Sequence, residues 1–108
     1  MAYYLLQGAY TSEAMANLLK NPTDRTEAIR PVIEKLGGSL DGAWFAFGEY
    51  DVVVIFQMPD NLSAAALALA FSAGGAFKSV KTTPLMEIKD GVEALKKAAG
   101  AGYQPPNK

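Results

Sequence analysis

A chain of 108 residues, half of them hydrophobic and 19% charged, has the length of one domain and enough apolar material to bury a core. Its net charge of −1 leaves no electrostatic footprint for nucleic acid or an anionic membrane, and its basic residues are scattered. Cysteine and histidine are both absent, which excludes disulfides, thiolate nucleophiles, iron–sulfur clusters, Cys-ligated zinc, proximal-His haem ligation and every Ser-His-Asp or Cys-His catalytic set.

The first strand is predicted over residues 3–10, where aromatic and branched side chains dominate. Its opening, Met1-Ala2-Tyr3-Tyr4-Leu5-Leu6, has no basic residue ahead of the apolar run and is not expected to be a signal peptide. Thr11-Ser12 offers an N-cap for a short helix over 12–20, which Asn21-Pro22 ends. Asp24 followed by Glu27 resembles a capping box for a second helical piece, in which Ile29, Val32, Ile33 and Leu36 share one face. Pro31 is expected to kink that piece or confine its first turns, and Gly37-Gly38 to stop it. A second strand follows over 39–47, with Trp44 and Ala46 on one face and Phe45 and Phe47 on the other. Gly48-Glu49-Tyr50-Asp51 is the turn of a hairpin, and 52–58 is an almost continuously apolar third strand. Pro59-Asp60-Asn61 caps an Ala-rich helix over 62–73, and Gly74-Gly75 ends it. No apolar stretch reaches about 18 unbroken residues, so no membrane span is expected. A fourth strand over 77–88 contains Pro84, and a last helix over 90–99 is expected to turn Val92, Leu95 and Ala99 inward. Residues 1–99 thus read as one domain and 100–108 as a loose Gly- and Pro-containing tail.

The order β-α-β-β-α-β, with an extra C-terminal helix, defines an α+β chain of the ferredoxin-like, split βαβ type. Its usual strand order puts the first and third strands in the centre. Pro84 agrees, because proline inside a sheet is confined to edges or bulges. Both helices of this fold cover one face of the sheet, and a lone monomer should expose polar residues on the other. The central strands are instead apolar on both faces: the third has Val52, Val54, Phe56 and Met58 on one and Val53 and Ile55 on the other, with Gln57 its single polar interruption, and the first has Tyr4 and Leu6 on one and Tyr3 and Leu5 on the other. A second cover is therefore required, supplied in part by the C-terminal helix and in part by a second copy packed sheet to sheet. The Ala-rich helix has almost no polar face and offers a further contact.

Phe47-Gly48-Glu49-Tyr50-Asp51-Val52-Val53-Val54-Ile55, then Pro59-Asp60 and an Ala/Leu helix, resembles the GYD family of small bacterial and archaeal proteins. Tyr3-Tyr4-Leu5-Leu6 with Tyr10-Thr11, and residues 31–38 before the second strand, extend the resemblance over roughly residues 2–90. The same hairpin and flanks are similar to the effector-binding domain of the leucine-responsive regulators. That likeness implies sheet-to-sheet pairing of the dimeric α+β barrel type and a small ligand held at a subunit interface near the hairpin. The DNA-binding half of those regulators has no counterpart here.

Two sets of residues are candidates for a site. Glu49, Tyr50 and Asp51 form a polar cluster at the mouth of a dimer cleft, able to orient a small ligand. Tyr3, Tyr10, Trp44 and Phe45 are candidates for an aromatic pocket on the open sheet face, with Arg25 and Arg30 flanking the second helix toward an anion. The plain alternative gives Gly48 a backbone conformation that a side chain would strain, and makes Asp51 an acceptor for nearby amides and the aromatics core or interface. The expectation is a cytoplasmic, homo-oligomeric small-molecule-binding or regulatory domain that needs no cofactor. Its partners are itself and a small metabolite, with neither nucleic acid nor membrane. The rival readings are a cofactor-independent enzyme of the monooxygenase or isomerase type and an interaction scaffold.

Overall fold

The structure, a computed structural model, describes residues 1–106. In chain order the elements are β1 (Ala2–Tyr10), α1 (Ser12–Lys20), α2 (Thr26–Lys35), β2 (Ser39–Phe45), β3 (Val52–Met58), α3 (Asn61–Ala73), β4 (Phe77–Leu85) and α4 (Ile88–Ala99). The strands form one antiparallel sheet in the order β2-β3-β1-β4. The arrangement is ferredoxin-like, with β1 and β3 central. Pro84 lies on β4, an edge strand, where a missing amide costs no ladder bond on the free side.

Local chemistry fixes the element ends. The Thr11 hydroxyl accepts the Ala14 amide at 3.1 Å and starts α1. The Asp60 carboxylate accepts the Ser63 amide at 2.8 Å and starts α3. Both satisfy an amide that the first helical turn leaves without a partner. At the end of α2, Gly37 takes φ +91°, its amide bonds the Glu34 carbonyl and the Gly38 amide bonds the Ile33 carbonyl, each at 3.0 Å. This is a Schellman stop, and it needs glycine at position 37. The capping box expected at Asp24 does not form. Asp24 instead accepts the Thr26 amide at 2.9 Å, two residues on, and the helix starts one residue later than that pattern requires. α2 runs through Pro31, which is exposed and withholds one amide from the Glu27 carbonyl.

The core lies between one sheet face and helices α2 and α3. Tyr4 and Leu6 of β1, Val54, Phe56 and Met58 of β3, Ile33 of α2 and Ala64 and Leu67 of α3 are buried together. Each large apolar side chain buried here contributes roughly 1.5–3 kcal/mol relative to exposure. Tyr4 stacks on Phe56 with ring centroids 5.5 Å apart, and its hydroxyl donates to Asn61 Oδ1 at 2.6 Å, tying the central strand to the first residue of α3.

Two expectations for the C-terminal half are corrected. β4 ends at Leu85, short of residue 88, and α4 begins at Ile88. Val92, Leu95 and Ala99 do not face inward, since no residue of α4 is buried and α4 packs extensively on no strand or helix. The Cα radius of gyration is 17.3 Å, well above the ~13 Å of a compact domain of this length, because α4 stands away from the sheet. Residues 100–106 are exposed and form no helix or strand, and residues 107–108 of the expected loose tail lie outside the described residues. Among the described residues no helix is long and apolar enough to cross a membrane.

Candidate functional site

The hairpin between β2 and β3 is closed by Asp51 rather than by Gly48. The Asp51 carbonyl accepts the Ala46 amide, the Asp51 amide donates to the Gly8 carbonyl, and the Asp51 carboxylate accepts the Tyr10 amide, each at 2.8 Å. One residue therefore joins β2, β3 and β1. The Tyr10 bond falls where the β1–β4 register shifts, between Ala9 and Tyr10, and holds that irregular stretch in place. Gly48 carries no positive φ, and a Cβ built on it would meet nothing within 4 Å. The strain expected at Gly48 is absent because residues 46–51 form a longer connection than a tight two-residue turn. Glu49 is exposed and Tyr50 half-buried.

Beside the hairpin, on the helix-covered side of the sheet, lies a cavity of about 370 Å³. Its aromatic lining is Tyr10, Phe71 and Phe77, with Trp44 and Phe45 of β2. Tyr10 stacks on Phe77 with centroids 4.8 Å apart, and Phe71 meets Phe77 at 5.7 Å. Leu6, Ile29 and Val54 extend the apolar lining, and Asp24, Arg25 and Thr26 stand at the start of α2. The space exists because Ala43, Ala70, Gly74 and Ala76 place little or no side chain into it. Gly8 is small for a related reason: a Cβ there would come within 2.6 Å of the Phe77 ring.

The polar groups at this cavity have defined states. Tyr10 is 7% exposed, and its hydroxyl makes no hydrogen bond among the described residues. Burial pushes its phenol above the ordinary value, nearby Arg25 opposes this and Asp51 adds to it. Asp24 is held below the usual carboxylate range by hydrogen bonds from Thr26, side chain and amide, with the Arg30 charge assisting. The cavity lining thus includes a carboxylate, a guanidinium and a phenol hydroxyl.

The residues expected to share one open-face aromatic pocket divide between the two faces. Strand side chains alternate, so Tyr3 and Tyr10 on β1 point oppositely, as do Trp44 and Phe45 on β2. Tyr3 belongs to the open face, and Trp44, paired with Val53, shares that parity. Tyr10 faces the helices, and Phe45 pairs with Val52 on that side. Trp44 also borders the cavity at the free edge of β2. Glu49 and Tyr50 are not among the cavity's lining residues, and Arg30 is separated from it while Arg25 lines it. The ring of small residues was not singled out from sequence. Ala43 alone lies on a strand, at helix-facing parity, while Ala70, Gly74 and Ala76 come from α3 and the turn after it.

The fold and cavity define a ferredoxin-like α+β domain with one apolar pocket beneath its helices. A sequence model described as the GYD domain matches residues 4–95. The chain belongs to the GYD family. No curated protein matches it in sequence. Among solved structures it is similar to the crystal structure of FFRP-DM1, with TM-score 0.50 and 14% identity over 80% of this chain and 100% of that one. It is also similar to the crystal structure of MtbAldR, with TM-score 0.53 and 14% identity over 79% of this chain and 52% of that one, so it spans about half that protein's length. An uncharacterized NIPSNAP domain protein from Burkholderia xenovorans matches with TM-score 0.49 and 15% identity, over 80% of this chain and 93% of that one.

Proposed function

We propose that this chain is a homo-oligomeric domain that binds a small, largely apolar molecule with one polar end, in a regulatory or sensing role. The observation that carries this reading is the cavity of about 370 Å³, mostly apolar in its lining, with the Tyr10 phenol and the Arg25 guanidinium among the groups that line it. Small-molecule sites have this composition, with apolar walls and a few polar groups that fix orientation. Asp51 acts as a positioning residue, because its bond to the Tyr10 amide sets where the phenol sits. Tyr3 and Trp44 serve the self-pairing face, while Glu49 and Tyr50 form the rim at the hairpin end.

The test uses 1-anilinonaphthalene-8-sulfonate, an apolar body with an anionic end, followed by its own emission and by quenching of Trp44, the single tryptophan. Saturable binding at micromolar concentration is expected, weakened at least tenfold by Ala43→Leu or Ala70→Phe, which fill the cavity from opposite walls. Binding unchanged in both variants, with circular dichroism showing each folded, would overturn the reading. Native mass spectrometry of protein purified without extraction of metabolites supplies the mass of the natural occupant.

A further inference from the structure

The open face of the sheet and the apolar stripe of α4 are both uncovered in one chain. On the open face Tyr3, Leu5, Val53 and Ile55 keep partial exposure beside Gln7, Gln57 and Lys81, while α2 and α3 pack on the opposite face. On α4, Ile88, Val92 and Leu95 recur at helical spacing and are 85%, 43% and 70% exposed. The two surfaces are continuous. Leu85 pairs with Tyr3 at the corner of the open face, and the exposed Leu85 and Met86 lead directly into Ile88.

Area argues that these surfaces act together. Four strands of about seven residues give a flat footprint on the order of 400 Å². A stable complex buries about 800 Å² per partner. The sheet face is thus a lean interface by itself, and α4, roughly 18 Å long, is the apolar surface that follows it in the chain and enlarges it. A two-fold pairing covers both at once, because an isologous interface gives each copy what it receives from the other.

Building on the self-pairing proposed above, we infer that α4 is an exchanged arm: in the homodimer the Ile88–Val92–Leu95 stripe of each copy seats on the other copy's open sheet face. The occupant of that face is thus a second copy of this chain, its C-terminal helix covering one part of the face and its sheet the rest. The charged residues of α4, including the Glu93–Lys96 pair at 3.5 Å, lie off the stripe and stay in water.

The chain has no cysteine, so Leu95→Cys carries a benzophenone label at one position only. Irradiation of the dimer is expected to give a covalent dimer with attachment mapped to β1 or β3 of the open face. Val92→Glu with Leu95→Glu is expected to weaken dimerisation at least tenfold in sedimentation equilibrium, while the far-ultraviolet circular dichroism of the sheet persists. Attachment confined to the monomer band would mean that α4 folds over its own sheet, and would overturn the exchange. A dimer of unchanged affinity in the double variant would also overturn it and leave sheet pairing intact. A wild-type chain that stays monomeric at about 100 μM would overturn exchange and pairing together, while leaving the ligand cavity untouched.

Discussion

On β3, Val54, Phe56 and Met58 lie beneath α2 and α3 and are buried, whereas Val53 and Ile55, one residue away along the same strand, face no helix and stay partly exposed. The residue types barely differ. What separates them is strand parity and the placement of two helices. Hydrophobicity therefore states that a face wants cover, and topology states which face receives it within one chain. The helix-covered face has its core and its cavity, and the open face has only a demand.

The sharpest way to test this difference is to truncate neighbouring positions on opposite faces. Phe56→Ala removes a ring with 0% exposure and should cost about 3–5 kcal/mol, read from urea denaturation. That is a large part of the ~5–15 kcal/mol total of a small domain. Ile55→Ala should cost less than about 2 kcal/mol in dilute protein, and its cost should grow with protein concentration as the open face becomes an interface. Equal, concentration-independent costs would erase the distinction between the faces.

Asp51→Ala comes next. It leaves the Tyr10 amide without its acceptor and should cost about 1–3 kcal/mol. Because the bond positions Tyr10, the same variant should also weaken the cavity's hold on the anilinonaphthalene probe. Loss of stability with probe affinity unchanged would confine Asp51 to the hairpin.

Titration gives the smallest effects, and the two groups act at opposite ends of the pH scale. Burial holds the Tyr10 phenol above its ordinary value of 10.0. A raised native value means that its contribution is complete below the unfolded value and is lost as pH rises through the native one. Alkaline unfolding should therefore begin above pH 10, accompanied by phenolate absorbance, and shift upward in Tyr10→Phe. Asp60 behaves inversely. Hydrogen bonds from the Ser63 amide and side chain lower its value, so its contribution is present above the unfolded carboxylate value and is lost as pH falls through the native one. Asp60→Asn should flatten the acid limb of the Tm–pH curve.

Much of the fold was legible in the sequence. Thr11, Asp60 and Gly37 mark helix ends through bonds to backbone groups a few residues away, so their signals are local. Pro84 identified an edge strand for an equally local reason, its missing amide. The site was less legible. Asp51 was expected to bond nearby amides, yet that its carboxylate reaches Tyr10 depends on β1 lying beside β3, which no neighbouring residue reveals. The aromatic set Tyr3, Tyr10, Trp44 and Phe45 mixed both parities, and alternation alone would have divided it. The exposure of α4 was hidden because an amphipathic stripe reads the same whether it packs within its own chain or against another.

The ring formed by Ala43, Ala70, Gly74 and Ala76 makes the cavity a gauge of ligand bulk. None of the four is among the buried residues of the core cluster, and Ala70, Gly74 and Ala76 do not pack against it, whereas Ala43 does. Enlarging Ala70, Gly74 or Ala76 trims the cavity while leaving Phe56, Ile33 and Leu67 in their packing. Relatives that keep this backbone can therefore differ in the size of molecule they admit through exchanges at these positions, with the scaffold's stability and the guest's dimensions set by separate residues.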